Sequence, residues 1–292
     1  MVARQAAGKT LEIRLAHSPD SDDAFMFYAL ATRKLRTPGL KFIHTLSDIE
    51  TLNQEARQER YDVTAMSFHA YAYLREQYIL LDCGASFGER YGPILVAARG
   101  LKKDDLAGRK VAVPGMLTTA TLALKLLEPR VEVVPMPFDH ILEAVQKGSD
   151  TGIEAGVLIH EGQLLYSEAG LQRVVDLGQW WWEKTNLPLP LGGNAIRKSL
   201  EPEAGRQVAR AIRQSVQYAL EHREEALNYA MQFARDMDAE LADKFVGMYV
   251  NRWTLGYGEE GRKAVRELLE RGAQAGLIPG PAEPEFLSED EA

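Results

Sequence analysis

Residues 155–160 have the sequence Ala-Gly-Val-Leu-Ile-His, and this stretch indicates the fold class. Its first five residues form an uninterrupted apolar run, which is typical of a strand buried on both faces of a parallel sheet. Other strand-like runs, such as residues 11–17 (LEIRLAH) and 110–113 (KVAV), are each followed by a turn and an amphipathic stretch. Strands that alternate with helices in this way predict an α/β protein whose sheets are flanked by helices.

The alternation occurs in two successive series. The first occupies residues 11–98 and the second begins at residue 110, and the charged, turn-rich segment 101–109 between them is a candidate crossover. From residue 201 to about 276 the pattern predicts helices almost throughout. The Pro-rich, acidic end, residues 279–292, predicts a frayed tail.

This organisation predicts two lobes. The chain has 292 residues, which suits two domains at about 150 residues each. We expect a larger, discontinuous lobe of residues 1–100 and 201–292 and a smaller lobe of residues 101–200. A ligand cleft between the lobes would lie at the ends of both sheets.

Composition and charge exclude several classes of protein. Hydrophobic residues make up 46% of the chain and charged residues 26%, which excludes intrinsic disorder. The 34 Lys and Arg against 42 Asp and Glu give a net charge of −8, so we expect neither nucleic acid nor a membrane surface as a partner. Cys83 is the single cysteine, which excludes an intramolecular disulfide and a cysteine-based zinc site.

Targeting and cofactor motifs are also missing from the sequence. There is no apolar run of about 18 residues that could span a membrane, and no secretory signal, so we expect a cytoplasmic protein. Glycine-rich nucleotide loops, a Gly-x-Ser-x-Gly elbow and a His-Glu-x-x-His motif are absent, so we expect no cofactor and no bound metal. The sequence leaves the oligomeric state open.

Polar side chains follow four of the predicted strands, where ligands bind in sheets of this kind. Hydroxyls and carboxylates at helix starts either cap the helix or hold a polar ligand, and both alternatives stay open here. A histidine at a strand end is either structural or an acid or base near neutral pH. His17 also ends a strand and is the second choice for that role. The candidates are Ser18, Asp22 and Asp23 in the first loop, then Ser67, Thr118 with Thr119, and His160.

Several segments together resemble one enzyme family. They include DIETLN at residues 48–53, VAVPG-x(2)-TTA at 111–120, AG-x-LIHE at 155–161 and TNLPLPLGG at 185–193. The set, in this order, is similar to the 1,4-dihydroxy-6-naphthoate synthases of the futalosine route to menaquinone. The resemblance extends from about residue 11 to residue 277.

The resemblance implies a two-lobed, periplasmic-binding-protein-like (type II) α/β fold, with two mixed or parallel sheets flanked by helices. It implies a cofactor-independent lyase that cleaves a carbon–carbon bond of cyclic dehypoxanthine futalosine, a small-molecule carboxylate. The products would be 1,4-dihydroxy-6-naphthoate and dihydroxyacetone. His160 falls at the family's catalytic histidine, and Ser67, Thr118 and Thr119 fall at its ligand-binding hydroxyls. Gly192 and Asn194, at the end of the last motif, complete the expected substrate-binding residues.

One loop departs from the family pattern. The family usually has Ser-Pro-Cys-Pro-Asn-Asp-Thr-Phe, whereas residues 18–25 here are Ser-Pro-Asp-Ser-Asp-Asp-Ala-Phe. Asp20 and Asp22 add carboxylates that would repel a substrate carboxylate or accept hydrogen bonds from sugar hydroxyls. Two alternatives therefore remain: a paralogue that acts on a related substrate such as chorismate, and a solute-binding protein for a small organic anion.

Overall fold

The computed structural model describes residues 10–98, 100–234, 237–280 and 283–288. In this part of the chain twelve strands are present: β1 Leu11–His17, β2 Leu40–Leu46, β3 Val63–Ser67, β4 Tyr78–Leu81, β5 Ser86–Gly88, β6 Ile94–Ala97, β7 Lys110–Val113, β8 Glu132–Pro135, β9 Ala155–Leu158, β10 Gln172–Asp176, β11 Leu189–Arg197 and β12 Phe286–Leu287.

The same described residues form twelve α-helices: α1 Ser21–Ala31, α2 Ile49–Ala56, α3 Phe68–Leu74, α4 Thr119–Leu127, α5 Ile141–Lys147, α6 Gly162–Leu165, α7 Leu177–Thr185, α8 Pro202–Glu221, α9 Arg223–Ala230, α10 Ala239–Tyr249, α11 Arg252–Leu255 and α12 Gly258–Gln274. The predicted α/β pattern of residues 11–159 and the helical character after residue 201 are confirmed.

The larger sheet has the strand order β12-β4-β11-β3-β1-β2, and β5 pairs with β11. Strand β1 is parallel to both β2 and β3, with Leu15 opposite Val63. Strand β11 is antiparallel to β3 and places Gly192 opposite Ser67. The carboxyl ends of β1 and β3 are therefore neighbours at one edge of this sheet.

The smaller sheet has the order β10-β6-β9-β7-β8. Strand β7 is parallel to β8 and to β9, with Val111 opposite Ala155, whereas β6 is antiparallel to both β9 and β10. The carboxyl ends of β7 and β9 are neighbours, as those of β1 and β3 are. Both sheets are mixed, in agreement with the predicted fold class.

The chain passes between the two sheets twice, between β5 and β6 and again between β10 and β11. The two passages touch, because a Cβ on Gly92 would lie 3.0 Å from the backbone of Gly178. The backbone N–H of Leu177 also donates to the carbonyl of Pro93 at 2.9 Å. The lobe limits at residues 100 and 200 stay a prediction. The sheets themselves exchange a little earlier, because β6 already belongs to the smaller sheet and β11 already belongs to the larger one.

The predicted frayed tail is wrong for Phe286–Leu287, which adds a parallel strand beside β4. The N–H of Asp82 donates to the carbonyl of Leu287 at 3.0 Å. Phe286 is 9% exposed and its ring lies 5.6 Å from that of Tyr257. Burial of this one aromatic ring holds the short strand in place. Residues 281, 282 and 289–292 of the predicted tail lie outside the described residues.

The largest apolar core is continuous across both lobes. It includes Phe87 of β5 and Val111 of β7, each fully buried, one from each sheet. It also includes Leu122 of α4 and Leu268 of α12. Helix α12 therefore packs against both parts of the molecule and helps to hold the cleft in a fixed geometry.

Candidate active site

A cavity of about 780 Å³, counted to its open mouth, lies between the two sheets at the carboxyl ends of β1, β3 and β9. With the exception of His17, the candidate residues from the sequence line it: Ser18, Asp22, Asp23, Ser67, Thr118, Thr119, His160, Gly192 and Asn194.

The loop between β1 and α1 folds its carboxylates inward. The backbone N–H of Ser18 donates to Oδ2 of Asp23 at 2.7 Å, and the Ser18 hydroxyl donates to Oδ2 of Asp20. Asp20 takes the N-cap position of α1 without a side-chain cap hydrogen bond, so its carboxylate is directed elsewhere. It is 3% exposed and lines the cavity.

Burial changes the titration of this loop. Burial is the largest cause that raises the pKa of Asp22 from 3.8 to about 6. The charge of His160 lowers this pKa, and the charge of Asp20 raises it further. Burial, and next the adjacent Asp22, raise the pKa of Asp23 well above its ordinary value. The loop therefore carries less negative charge near neutral pH than three ordinary aspartates would. A carboxyl that keeps its proton also becomes a hydrogen-bond donor.

Ser67 ends β3 and is fixed by Asn53 of α2. The Asn53 Oδ1 accepts from the backbone N–H of Ser67 at 2.9 Å, and its Nδ2 donates to the Ser67 hydroxyl at 3.0 Å. Asn53 is fully buried and also reaches the carbonyl of Leu117, in the smaller lobe, at 3.5 Å. The Ser67 hydroxyl accepts here and keeps its own proton for donation to a ligand.

Thr118 and Thr119 stand at the start of α4 and have different roles. The Thr118 hydroxyl accepts from the backbone N–H of Thr121 as the helix cap and donates to the carbonyl of Gly115 at 3.0 Å. Its hydrogen-bonding groups are therefore occupied within the helix start. The Thr119 hydroxyl accepts from the backbone N–H of His69 at 3.2 Å. Thr119 thus retains a proton to donate, and the helix start adds N–H groups without intrahelical partners.

His160 follows β9 and has a left-handed backbone, with φ of 51°. Its Nε2 lies 3.3 Å from Oδ2 of Asp20 across the cleft. The edge of Phe138 contacts the ring, with centroids 4.9 Å apart. The imidazole is 16% exposed and lines the cavity.

Gln163 and Tyr249 hold the backbone of His160. The N–H of Gln163 donates to the His160 carbonyl at 3.2 Å, and its Nε2 donates to the same oxygen at 3.3 Å. The Tyr249 hydroxyl donates to Oε1 of Gln163 at 2.7 Å. Burial raises the pKa of Tyr249 well above its ordinary value, so this hydroxyl stays protonated. These bonds maintain a backbone conformation that is uncommon for residues other than glycine.

Strand β11 forms another wall of the cavity. Asn194 donates from Nδ2 to the carbonyl of Gly84 at 2.8 Å, and its Oδ1 is buried without a partner among the described residues. Gly192 stands opposite Ser67, and a Cβ at Gly192 would lie 3.2 Å from the carbonyl oxygen of Met66. Glycine therefore leaves space beside Ser67 that a larger residue would fill.

The cavity has no cationic side chain from Lys or Arg among the described residues that line it. No group of three or more His, Cys, Asp or Glu in the described parts of the chain is arranged to hold a metal ion. Within those same parts, no helix has the length and apolar character to cross a membrane.

His17, the second-choice histidine, does not line the cavity. Its ring stacks on Phe27 with centroids 4.3 Å apart, and its Nε2 lies 3.2 Å from Nδ1 of His44. Burial, and next the proximity of His44, lower the pKa of His17 to about 3. These contacts give His17 a structural role.

Sequence reasoning missed several residues of the site. The sequence marks Asp20 only as a departure from the family pattern, although its place in the first loop is a usable signal. Gln163 lies three residues after His160, one helical turn on, which could have marked it. Tyr249 lies 86 residues further along and carries no local signal.

The two-lobed fold with a ligand cleft defines a class of protein. The alkanesulfonate-binding protein SsuA of Xanthomonas axonopodis matches with a TM-score of 0.73 at 9% identity, covering 97% of this chain and 100% of that one. A Candida albicans protein described as having the periplasmic-binding-protein fold matches with a TM-score of 0.68 at 12% identity, covering 93% of this chain and 92% of that one. The periplasmic-binding-protein-like fold is therefore confirmed.

Sequence comparison then identifies the family. A family model described as menaquinone biosynthesis matches residues 13–274. Proteins named 1,4-dihydroxy-6-naphthoate synthase from Thermus thermophilus and Streptomyces coelicolor are 40% and 37% identical, covering 94% and 91% of this chain and 99% and 95% of their own lengths. A crystal structure from Archaeoglobus fulgidus matches at 47% identity with a TM-score of 0.87, covering 91% of this chain and 98% of that one.

The chain belongs to the menaquinone biosynthesis family, and it is an enzyme. The predicted resemblance to the 1,4-dihydroxy-6-naphthoate synthases is confirmed. A solute-binding protein, one of the two alternatives left open by the sequence, is set aside.

Proposed function

We propose that this enzyme converts cyclic dehypoxanthine futalosine to 1,4-dihydroxy-6-naphthoate and dihydroxyacetone, with His160 as general base. The observation that carries the proposal is the position of His160, which follows the buried strand β9 and lines a cavity that also contains donor hydroxyls. The names and high coverage of the Thermus and Streptomyces relatives support the choice of reaction.

The substrate carboxylate would bind at the end of the cavity formed by β3 and β7. Ser67 and Thr119 each have a hydroxyl proton to donate there, and the start of α4 supplies backbone N–H groups. Thr118 would fix this helix start rather than contact the substrate. Recognition would depend on hydrogen bonds to neutral donors, because Lys and Arg are absent from the described lining residues.

The sugar-derived part of the substrate would lie at the other end, beside β1 and β9. The carboxyls of Asp22 and Asp23 would contact its hydroxyls, as acceptors or, when protonated, as donors. His160 would accept a proton from this part of the molecule as the carbon–carbon bond breaks. It would then return that proton to the three-carbon fragment, which takes the electron pair of the broken bond and leaves as dihydroxyacetone, and the ring left behind would become the aromatic naphthoate. Positioned proton transfer contributes about 10²- to 10⁴-fold to a rate. The proposal needs no metal or organic cofactor and places the reaction in the cytoplasm.

The test is turnover by the purified, EDTA-treated protein, with both products followed by chromatography and mass spectrometry. His160→Ala is expected to keep the fold and to lose at least about a hundredfold in kcat. His140→Ala is the matched control, because His140 is an exposed histidine of the same lobe that does not line the cavity. Near-normal turnover by His160→Ala would remove His160 from the mechanism.

The departure of residues 18–23 from the family pattern keeps one alternative open, a paralogue that acts on a related substrate such as chorismate. Absence of product from folded wild-type protein, together with thermal stabilisation by chorismate, would replace the proposed substrate. Product formation without such stabilisation would exclude the alternative.

A further inference from the structure

We infer that Asp20 is a positioning residue that holds the proton of His160 on Nε2 and leaves Nδ1 as the basic atom. The inference rests on the proposed function, since it assigns the atom through which His160 would act. It concerns a residue in which this chain departs from the family pattern described above.

The distance between the two side chains distinguishes the two ring nitrogens of His160. Nε2 of His160 lies 3.3 Å from Oδ2 of Asp20. A carboxylate offers only acceptor oxygens, so this proximity favours the tautomer with the hydrogen on Nε2 over one that would turn a lone pair toward the carboxylate. The Ser18 hydroxyl donates to the same oxygen and so holds the carboxyl of Asp20 in this orientation.

The other ring nitrogen is left for the substrate. No described residue forms a hydrogen bond with Nδ1 of His160, and the ring lines the cavity. A neutral imidazole with hydrogen on Nε2 has its lone pair on Nδ1. When Nδ1 takes a proton, the carboxylate of Asp20 is already in place to stabilise the imidazolium.

The surroundings leave the pair little freedom. The Asp20 carboxylate is 4% exposed and is held by Ser18. The His160 backbone is held by Gln163, and its ring is contacted by Phe138. A strained backbone at a functional site persists when its neighbours fix it in this way.

The pair also joins the two lobes. Asp20 follows β1 of the larger sheet, and His160 follows β9 of the smaller sheet. The oriented base is therefore assembled from both lobes.

The test combines kinetics and nitrogen NMR on the full-length protein with ¹⁵N-labelled histidine. The His160 signals are identified by their loss in His160→Gln. We expect hydrogen on Nε2 in the wild type and a mixture of tautomers in Asp20→Ala. In Asp20→Ala kcat should fall at least about tenfold, with KM changed less than about threefold.

Asp20→Asn separates positioning from packing. This variant keeps the size of the side chain, so a packing role predicts better activity than in Asp20→Ala. A positioning role predicts a loss at least as large, because the amide N–H can donate to Nε2 and shift the imidazole hydrogen to Nδ1. Asp104→Asn, an exposed carboxyl far from the cavity lining, should behave as the wild type.

The outcomes separate the two proposals. Hydrogen on Nδ1 in the wild type, or unchanged His160 tautomers in both Asp20 variants, would overturn the inference even if the enzyme forms the proposed product. Product formation at the wild-type rate by Asp20→Ala would also overturn it. Absence of product from the wild type would overturn the proposed function, while the tautomer measurement would still decide the role of Asp20.

Discussion

Asp22→Asn should stabilise the protein near neutral pH. Burial, the largest cause, raises the pKa of the Asp22 carboxyl from 3.8 to about 6 in the folded protein. The folded state therefore holds this proton more tightly than the unfolded chain does. Asp22 weakens the fold as pH rises from about 4 through 6, and the penalty is complete above that range. Asparagine stays neutral and carries no such penalty.

The raised pKa sets the size of the effect. At about 1.4 kcal/mol for each pKa unit, a rise from 3.8 to about 6 corresponds to about 3 kcal/mol of unfolding free energy above both values. For a chain of this size each kcal/mol changes Tm by about 2–4 °C, so Tm should rise by about 6–12 °C at pH 7.5. At pH 4 the carboxyl is largely protonated in the folded state, and the gain should be small.

The assay is thermal unfolding followed by circular dichroism at several pH values from 4 to 7.5. Asp104→Asn is the matched control, because it makes the same chemical change at an exposed position and should alter stability by less than about 0.5 kcal/mol. A stability gain of equal size at pH 4 and pH 7.5, or a loss at pH 7.5, would refute the argument from burial.

Two further substitutions test buried contacts that support the cavity. Asn53→Ala removes both hydrogen bonds to the end of β3 and should lower the free energy of unfolding in urea by about 1–3 kcal/mol. The exposed control Gln54→Ala should lower it by less than about 0.5 kcal/mol. Equal losses in the two variants would contradict the role of the buried amide. Gly178→Ala places a Cβ 1.8 Å from the backbone oxygen of Tyr91 and should cost more than about 3 kcal/mol or prevent folding. Gly39→Ala, with φ of 80° and open space around it, should cost only about 1–2 kcal/mol, and a similar cost at both positions would refute the steric argument.

The local pattern of the sequence was sufficient for the parallel parts of both sheets. Strands β1, β7 and β9 are short apolar runs that precede a turn, and the turn after each contributes to the cavity. The rule that ligands bind at the carboxyl ends of such strands placed residues from four separate loops in one cavity. At these positions the polar residues that follow each strand lie where the rule for parallel sheets predicts a ligand site.

Long-range pairing was not predictable in the same way. Strand β11 contains Pro190 and two glycines, which predict a turn rather than the antiparallel strand that lies between β3 and β4. Its register shifts between Pro190 and Gly192 where it pairs with β5, and this accommodates the proline. The contact of Asp20 with His160 depends on the arrangement of two sheets, which no local pattern encodes.

The contact of Gly92 with Gly178 has a mechanical consequence. Both passages of the chain between the sheets meet there, backbone against backbone, so the two crossings are held together as one unit. Pro93 is next to this contact and lines the cavity, so the same unit forms part of the cavity wall. A side chain larger than hydrogen at either glycine would push the crossings apart and displace that wall.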